Sequence, residues 1–354
     1  MKTNKTYLFA LLCTLLLWQA CSPTMQLDVL QPAQMVVPEH IQTIATLDRS
    51  KPEKGFLSFL EGAITGEEIG QDRTGRRHAL DGLMQSLTRT PRFNVKHTGI
   101  ELTGSRGGGS FTGPLEWAQV EQICRDYAAD ALVTIEMFDS DNRISYAERR
   151  EKSKDKEGNE ITKILHDARL DMSVRIGWRF YDPKTRIIQD EFTTLQQAQD
   201  SRSADTRERA LQQLRSQTTI TRKVSFDAGA QYGMRIAPVW VRVNRTFYDS
   251  GKGSASEQMK QAARFAKADQ WERAAEIWRS LVRTAPDNKT AGRAAYNMAV
   301  ANEHNGLLES ALEWAQRAYT DFGNKKARQY ISTLQIRLSD QRRLREQMRT
   351  KAVP

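Results

Sequence analysis

The chain carries three thiols and five imidazoles, the side chains best suited to nucleophilic, acid-base or metal chemistry. His40, His78, His97, His166 and His304 never fall in a His-x-x-x-His pattern or beside a cysteine pair, so zinc-ligand spacing is absent. His166-Asp167 has two of the side-chain types of a hydrolytic triad, but no nucleophile motif such as G-x-S-x-G accompanies it. The pair reads as polar residues at the edge of a strand. Asp139 and Asp141 end an apolar run and have the types for acid-base or metal work, yet strand ends are commonly acidic. The stretch Gly104 to Ser110 (GSRGGGS) offers backbone N–H groups that can cradle an anion. It lacks both Gly-Lys-Ser/Thr and G-x-G-x-x-G, so a surface loop is the better reading. The sequence thus predicts no catalytic residue, no metal site and no cofactor.

Cys21 has chemistry of another kind. The opening MKTNKTYLFALLCTLLLWQAC sets two lysines before an apolar run from Tyr7 to Trp18. That run is too short to span a bilayer as a helix of about 20 residues, so residues 1–20 read as a signal peptide. Trp18-Gln19-Ala20-Cys21 then resembles a bacterial lipobox, departing from it in Trp18 and Gln19, where Leu and a small residue are preferred. The resemblance implies cleavage before Cys21 and acylation of its thiol and new amino group. More than one acyl chain holds a protein stably on a membrane. Ser22 after the Cys implies the outer membrane, and a tether over residues 21–28 without an acidic cluster implies its periplasmic face. With Cys13 discarded and Cys21 acylated, Cys124 has no partner for an intrachain disulfide.

Behind these residues two domains are expected. The chain has 354 residues, more than one domain usually holds. A mean hydropathy of −0.62 excludes a polytopic membrane protein. The net charge of +10 becomes +8 without the first twenty residues, which carry Lys2 and Lys5 and no acid. In an exported protein the polyanions within reach are lipid headgroups and envelope polymers rather than nucleic acid. The architecture predicted is α+β: an α/β sandwich over residues 29–250, then an all-α repeat over 255–350.

In the first domain Ile41 to Leu47 suits a strand, and Leu80, Leu83, Met84 and Leu87 share one helical face. Phe93 to Val95 is a second short strand. Pro114 opens a helix with Trp117, Val120, Ile123, Cys124 and Tyr127 on one side, followed by a buried strand from Ala131 to Phe138. Leu170 to Tyr181 alternates strictly, so Leu170, Met172, Val174, Ile176, Trp178 and Phe180 should be buried while Arg175, Arg179 and Tyr181 face water. Asp182-Pro183-Lys184-Thr185 turns into the second arm of a hairpin. Glu148 to Lys156 reads as a solvated hairpin tip and Asp205 to Gln217 as helical. The aromatic and β-branched content of Tyr232 to Tyr248 suggests one or two strands.

This order, with its RFYDPKTRII turn, resembles the lipoprotein fold of curli-assembly and penicillin-binding-protein activator proteins. The whole chain, through LQPAQMVVPEHIQTIATLDRS and YGMRIAPVWVRVNRTFY, is similar to an uncharacterised Bacteroidetes lipoprotein family of unknown function. From Ser254 the sequence resembles tetratricopeptide repeats. Phe265, Ala274, Trp278, Leu281 and Pro286 fill one unit; Met298, Ala299, Gly306, Ala311 and Ala318 fill a second, offset by about 37 residues against the usual 34 or so. Two units are few, so the helix from Lys325 to Met348 is expected to cap the stack. The resemblance implies a concave surface on the first helix of each unit, with Lys260, Arg264, Lys267, Arg293 and Asn297 placed to receive an acidic peptide. The function expected is that of an outer-membrane lipoprotein, not an enzyme, acting as a scaffold or assembly factor for a protein partner. The alternative is a module binding an envelope polymer such as peptidoglycan.

Overall fold

The computed structural model describes residues 23–52, 71–105 and 111–349. The architecture is α+β, with a sheet-rich N-terminal part followed by a run of five helices. Contacts divide the chain into two units, one comprising residues 30–240 with 344–349, the other residues 23–29 with 241–343.

In the first unit β2 (Thr43–Pro52), β3 (Asn94–Ser105), β4 (Ala131–Lys154), β5 (Glu160–Asp182) and β6 (Ile187–Ala204) form a sheet of order β3-β2-β4-β5-β6. β2 runs parallel to both β3 and β4, whereas β4, β5 and β6 are antiparallel. Helix α1 (Gln71–Thr88) follows β2, and α2 (Trp117–Asp126) follows β3. The two lie on opposite faces. Leu80, Leu83 and Leu87 of α1 join Ile44, Val133, Ile135 and Trp178 in one core. Val120, Ile123 and Cys124 of α2 join Ala45, Leu47, Leu132 and Tyr181 in another. This second layer corrects the expected alternation of β5. Its distal half does alternate, but Arg179 and Tyr181 are buried because α2 and the segment before it cover the face that was to be wet.

A short helix and a long one follow β6, α3 (Arg207–Gln213) and α4 (Gln217–Ile236). α4 takes in Tyr232 to Ile236, where strand was expected, and strand structure begins only at β7 (Val239–Thr246). The helical signal is weak because α4 meets α1 through small residues instead of a leucine stripe. A Cβ on Gly229 would sit 1.8 Å from the Ala79 carbonyl oxygen, and one on Gly82 2.0 Å from that of Phe226. The backbones touch, and Tyr232 stacks on Trp178 with ring centroids 4.9 Å apart.

In the second unit β1 (Thr24–Gln31) pairs with β7, so the residues expected as a tether up to Asp28 are strand from Thr24 on. The physical reason is alternation: Met25 and Val29 are buried, and Leu27 packs partly on the helical core. Helices α5 (Ala255–Lys267), α6 (Trp271–Thr284), α7 (Asn288–His304), α8 (Leu308–Thr320) and α9 (Lys325–Gln347) follow. The turns closing α5 and α7 match. Asp269 and Gly306 both have positive φ, of 58° and 77°, and the N–H groups of Gln270 and Leu307 return to the carbonyls of Phe265 and Asn302, each at 2.9 Å. Ala274 and Ala311, fully buried, occupy equivalent places in α6 and α8.

Gly229→Ala should cost about 3 kcal/mol in urea unfolding of the full chain, the upper end of overpacking, since backbone has no rotamer with which to yield. A variant as stable as the parent would show that α1 and α4 do not need this approach.

Candidate functional site

In the sheet unit the polar groups are spent on structure. Glu136, fully buried on β4, accepts from Arg49 Nη1 at 2.8 Å, Arg179 Nη1 at 3.2 Å, the Tyr181 hydroxyl at 3.0 Å, Thr134 Oγ1 at 2.6 Å and Thr112 Oγ1 at 3.2 Å. Both arginines also donate to main chain at 2.6 Å, Arg49 to Gly113 and Arg179 to Thr112. The network straps the segment before α2 to the sheet and leaves the carboxylate no capacity for another ligand. Gly104 and Ser105 end β3, and the rest of the glycine-rich stretch lies outside the described residues.

His166 is held by the Tyr146 hydroxyl, and Asp167 by Arg149 Nε at 3.2 Å and Ser203, along the hairpin; the serine meets the aspartate and not the imidazole, so the pair lacks the order of a hydrolytic triad. A constellation not apparent from sequence spacing is Cys124, His40 and the carboxylate of Asp182. Cys124 and His40 border one open hollow of 630 Å³, and His40 Nε2 meets Asp182 Oδ1 at 3.1 Å. A nucleophilic thiol needs a lowered pKa. Burial, with Asp130 and Asp182 nearby, instead pushes the Cys124 thiol up to about 12, so it is a core residue. Asp139 and Asp141 face Asp72, whose carboxyl burial raises, partly offset by Ser140 and Arg76 and reinforced by the two aspartates. No group of three or more such side chains has the geometry to hold a metal ion among the described residues.

The helical unit differs. Of the residues expected to bind a partner, Lys260, Arg264 and Lys267 are exposed on α5, and Lys260 pairs with Glu257 at 2.8 Å. Asn297 is not available at all. It is fully buried, its Oδ1 accepting from Tyr248 N at 2.8 Å and its Nδ2 donating to Tyr248 O at 2.7 Å. One carboxamide thus clamps both main-chain groups of one residue, as it would an extended peptide. Arg293 continues the pattern, with Nη1 2.9 Å from Ser250 O and its guanidinium 5.1 Å from the Tyr248 ring centroid. The face of α7 expected to receive a partner therefore holds residues 248–250 of its own chain. Sequence could not show this, because Asn297 looks equally suited to either role.

A hollow of 460 Å³ remains beside that segment, lined by Tyr248, Lys289, Arg293, Phe322, Asn324 and Lys325, with Gly323 in its wall. Lys289, Arg293 and Lys325 have no carboxylate partner among the described residues, and no acid lines the hollow. Lys289 and Lys325 sit at the starts of α7 and α9, whose positive dipole ends add to the field. Near the other end of α7 lies Glu303. That buried carboxylate accepts from Arg245 Nε at 2.7 Å and Nη2 at 2.9 Å, from Arg337 Nη1 at 2.6 Å and from the Tyr330 hydroxyl. Burial alone would raise its pKa, but these donors outweigh it and hold the carboxyl below its ordinary range. Sequence reasoning named Arg293, with Lys260, Arg264, Lys267 and Asn297 on a concave surface, and missed Lys289 and Lys325, which join it here only through the turn between α8 and α9.

The described chain is thus an α+β protein with a five-helix C-terminal run and a basic hollow in it. Residues 41–248 match the model of a family described as "Domain of unknown function (DUF8603)", and the chain belongs to that family. Residues 260–336 match a second, "Domain of unknown function (DUF6340)". No curated protein matches in sequence. Similar solved structures include that of a neuraminyllactose-binding hemagglutinin homolog from Helicobacter pylori, 11% identical, covering 56% of this chain and 84% of that one, with a TM-score of 0.24.

Two outcomes follow. Asn297→Ala should destabilise the protein by about 2 kcal/mol or more, because buried N–H and C=O groups of Tyr248 lose their partners; urea unfolding checks it, and a loss below about 0.5 kcal/mol would leave Asn297 free for another role. Asp72 has a raised folded-state pKa, so its ionisation opposes folding as pH climbs through that value. Asp72→Asn should accordingly raise Tm at about pH 8 and change nothing at about pH 3, where the carboxyl is protonated folded or unfolded. Circular dichroism melts at both pH values decide it.

Proposed function

We propose that this chain is a non-enzymatic lipoprotein of a Bacteroidetes-type cell envelope, acylated at Cys21, held on the periplasmic face of the outer membrane, and that it docks a partner protein on a tetratricopeptide-like helical unit. The carrying observation is the collection of unpaired cations, Lys289, Arg293 and Lys325, around one 460 Å³ hollow. Like charges gathered without counter-charges repel one another and weaken a fold, so such a cluster is best explained by an anionic partner that neutralises it. The repeat-like reading is supported by the matched turns after α5 and α7 and by the small residues Ala274 and Ala311 at equivalent positions. Cys21 itself lies outside the described residues, and its acylation rests on the lipobox resemblance. A polymer such as peptidoglycan would draw on overall charge, whereas a local hollow favours a defined segment of protein.

The test is crosslinked pull-down from membranes. Wild type should enrich a partner that is retained by Cys21→Ala, which leaves the membrane fraction and no longer incorporates labelled palmitate, and that is lost by Lys289→Glu/Lys325→Glu. Equal enrichment by the charge-reversed chain would remove the docking role, and salt-sensitive sedimentation with isolated sacculi would put the polymer in its place.

A further inference from the structure

The cationic hollow does not stand alone. A second one, of 340 Å³, is bordered by Asn244, Thr246, Lys326, Gln329, Tyr330 and Thr333, with Arg245 and Tyr296 behind. The two are linked by Tyr248 and Lys326, whose ammonium lies 5.2 Å from the Tyr248 ring centroid. Both lie within the helical unit, along the N-terminal half of α9. The first gathers three cations without a carboxylate partner, whereas the second, though Lys326 and the Glu303-paired Arg245 border it, is otherwise lined by carboxamides and hydroxyls that hydrogen-bond in either direction. No carboxylate lines either.

This division of chemistry matters. An isolated phosphate held by Lys289, Arg293 and Lys325 would leave Asn244, Thr246, Gln329 and Thr333 without a task. An extended peptide has alternating N–H and C=O groups at a rise of about 3.3 Å per residue and needs such neutral groups along its path. The neighbouring face of α7 already reads extended main chain in this way, through Asn297 on Tyr248 and Arg293 on Ser250.

We infer that the joined hollows form a groove for an extended acidic peptide segment of the partner protein, its carboxylates at Lys289, Arg293 and Lys325 and its main chain along Asn244, Thr246, Gln329 and Thr333. This rests on the docking function proposed above and names the chemistry of the partner. The residues involved are mostly exposed, so charge and amide substitutions leave the buried helical core intact.

Fluorescence anisotropy with full-length protein in detergent tests it, using a fluorescein-labelled octapeptide ending in three acidic residues with a free carboxy terminus and a version with serines in their place. The acidic peptide should bind, the serine version at least about tenfold more weakly. Lys289→Glu/Lys325→Glu should lose at least about tenfold, and Gln329→Ala/Thr333→Ala about threefold, neither with a lowered Tm. Lys289→Ala, which adds no new charge, should fall between wild type and the double reversal. Equal binding of the two peptides, or unchanged binding by Lys289→Glu/Lys325→Glu, overturns the inference. So does complete displacement by millimolar inorganic phosphate together with unaltered affinity in Gln329→Ala/Thr333→Ala, which would make the hollow a phosphate site. If no peptide binds yet the charge-reversed chain still loses its crosslinked partner in membranes, docking stands and the acidic-peptide chemistry falls.

Discussion

A carboxylate taken out of water must be surrounded by donors or it will unfold what holds it, and each unit of this protein is organised around one such group. Glu136 in the sheet and Glu303 in the helices are both fully buried, and each gathers two arginines and a tyrosine hydroxyl. Removing one partner of such a cluster leaves an uncompensated charge and costs about 3 to 5 kcal/mol. The donors come from distant parts of the chain, Arg49 and Arg179 for one, Arg245 and Arg337 for the other. Each glutamate therefore fixes which strands and helices are neighbours as firmly as the apolar core does.

That accounting separates the cations with structural work from those without it. Arg49, Arg179, Arg245 and Arg337 are absorbed into the interior, and many of the rest meet an acid on the surface. Lys289, Arg293 and Lys325 do neither, and they line one hollow together. The net positive charge of the chain is thus less informative than where its unpaired part collects. The expected partner surface shifts for the same reason. Asn297 clamps Tyr248 against α7, so the surface proposed for docking lies instead where the starts of α7 and α9 meet.

Much of the fold was legible. The heptad-like leucines of α1, the alternating stretch of β5, the Asp182 turn and the small and aromatic residues of α5 to α8 each follow one local periodicity, and a single period identifies an element whatever packs on it. The failures share a cause. α4 buries Ser225, Ala228, Gly229 and Gly233, small residues that carry no hydrophobic stripe and make sense only against α1. β1 was hidden by its place in the stretch read as a tether, though Met25, Leu27 and Val29 do alternate. Arg179 and Tyr181 were assigned to water because alternation states that a strand has two faces, not that both are covered.

By itself the sequence determined the strongly periodic elements, the α+β class, the absence of zinc-ligand and nucleophile motifs and the lipobox-like context of Cys21, because each depends on residues close together in the chain. Only the tertiary structure decided which charges are interior ligands, which polar side chain is already occupied and which lysines meet. Those questions depend on distances between residues far apart in sequence, and local periodicity holds no information about them.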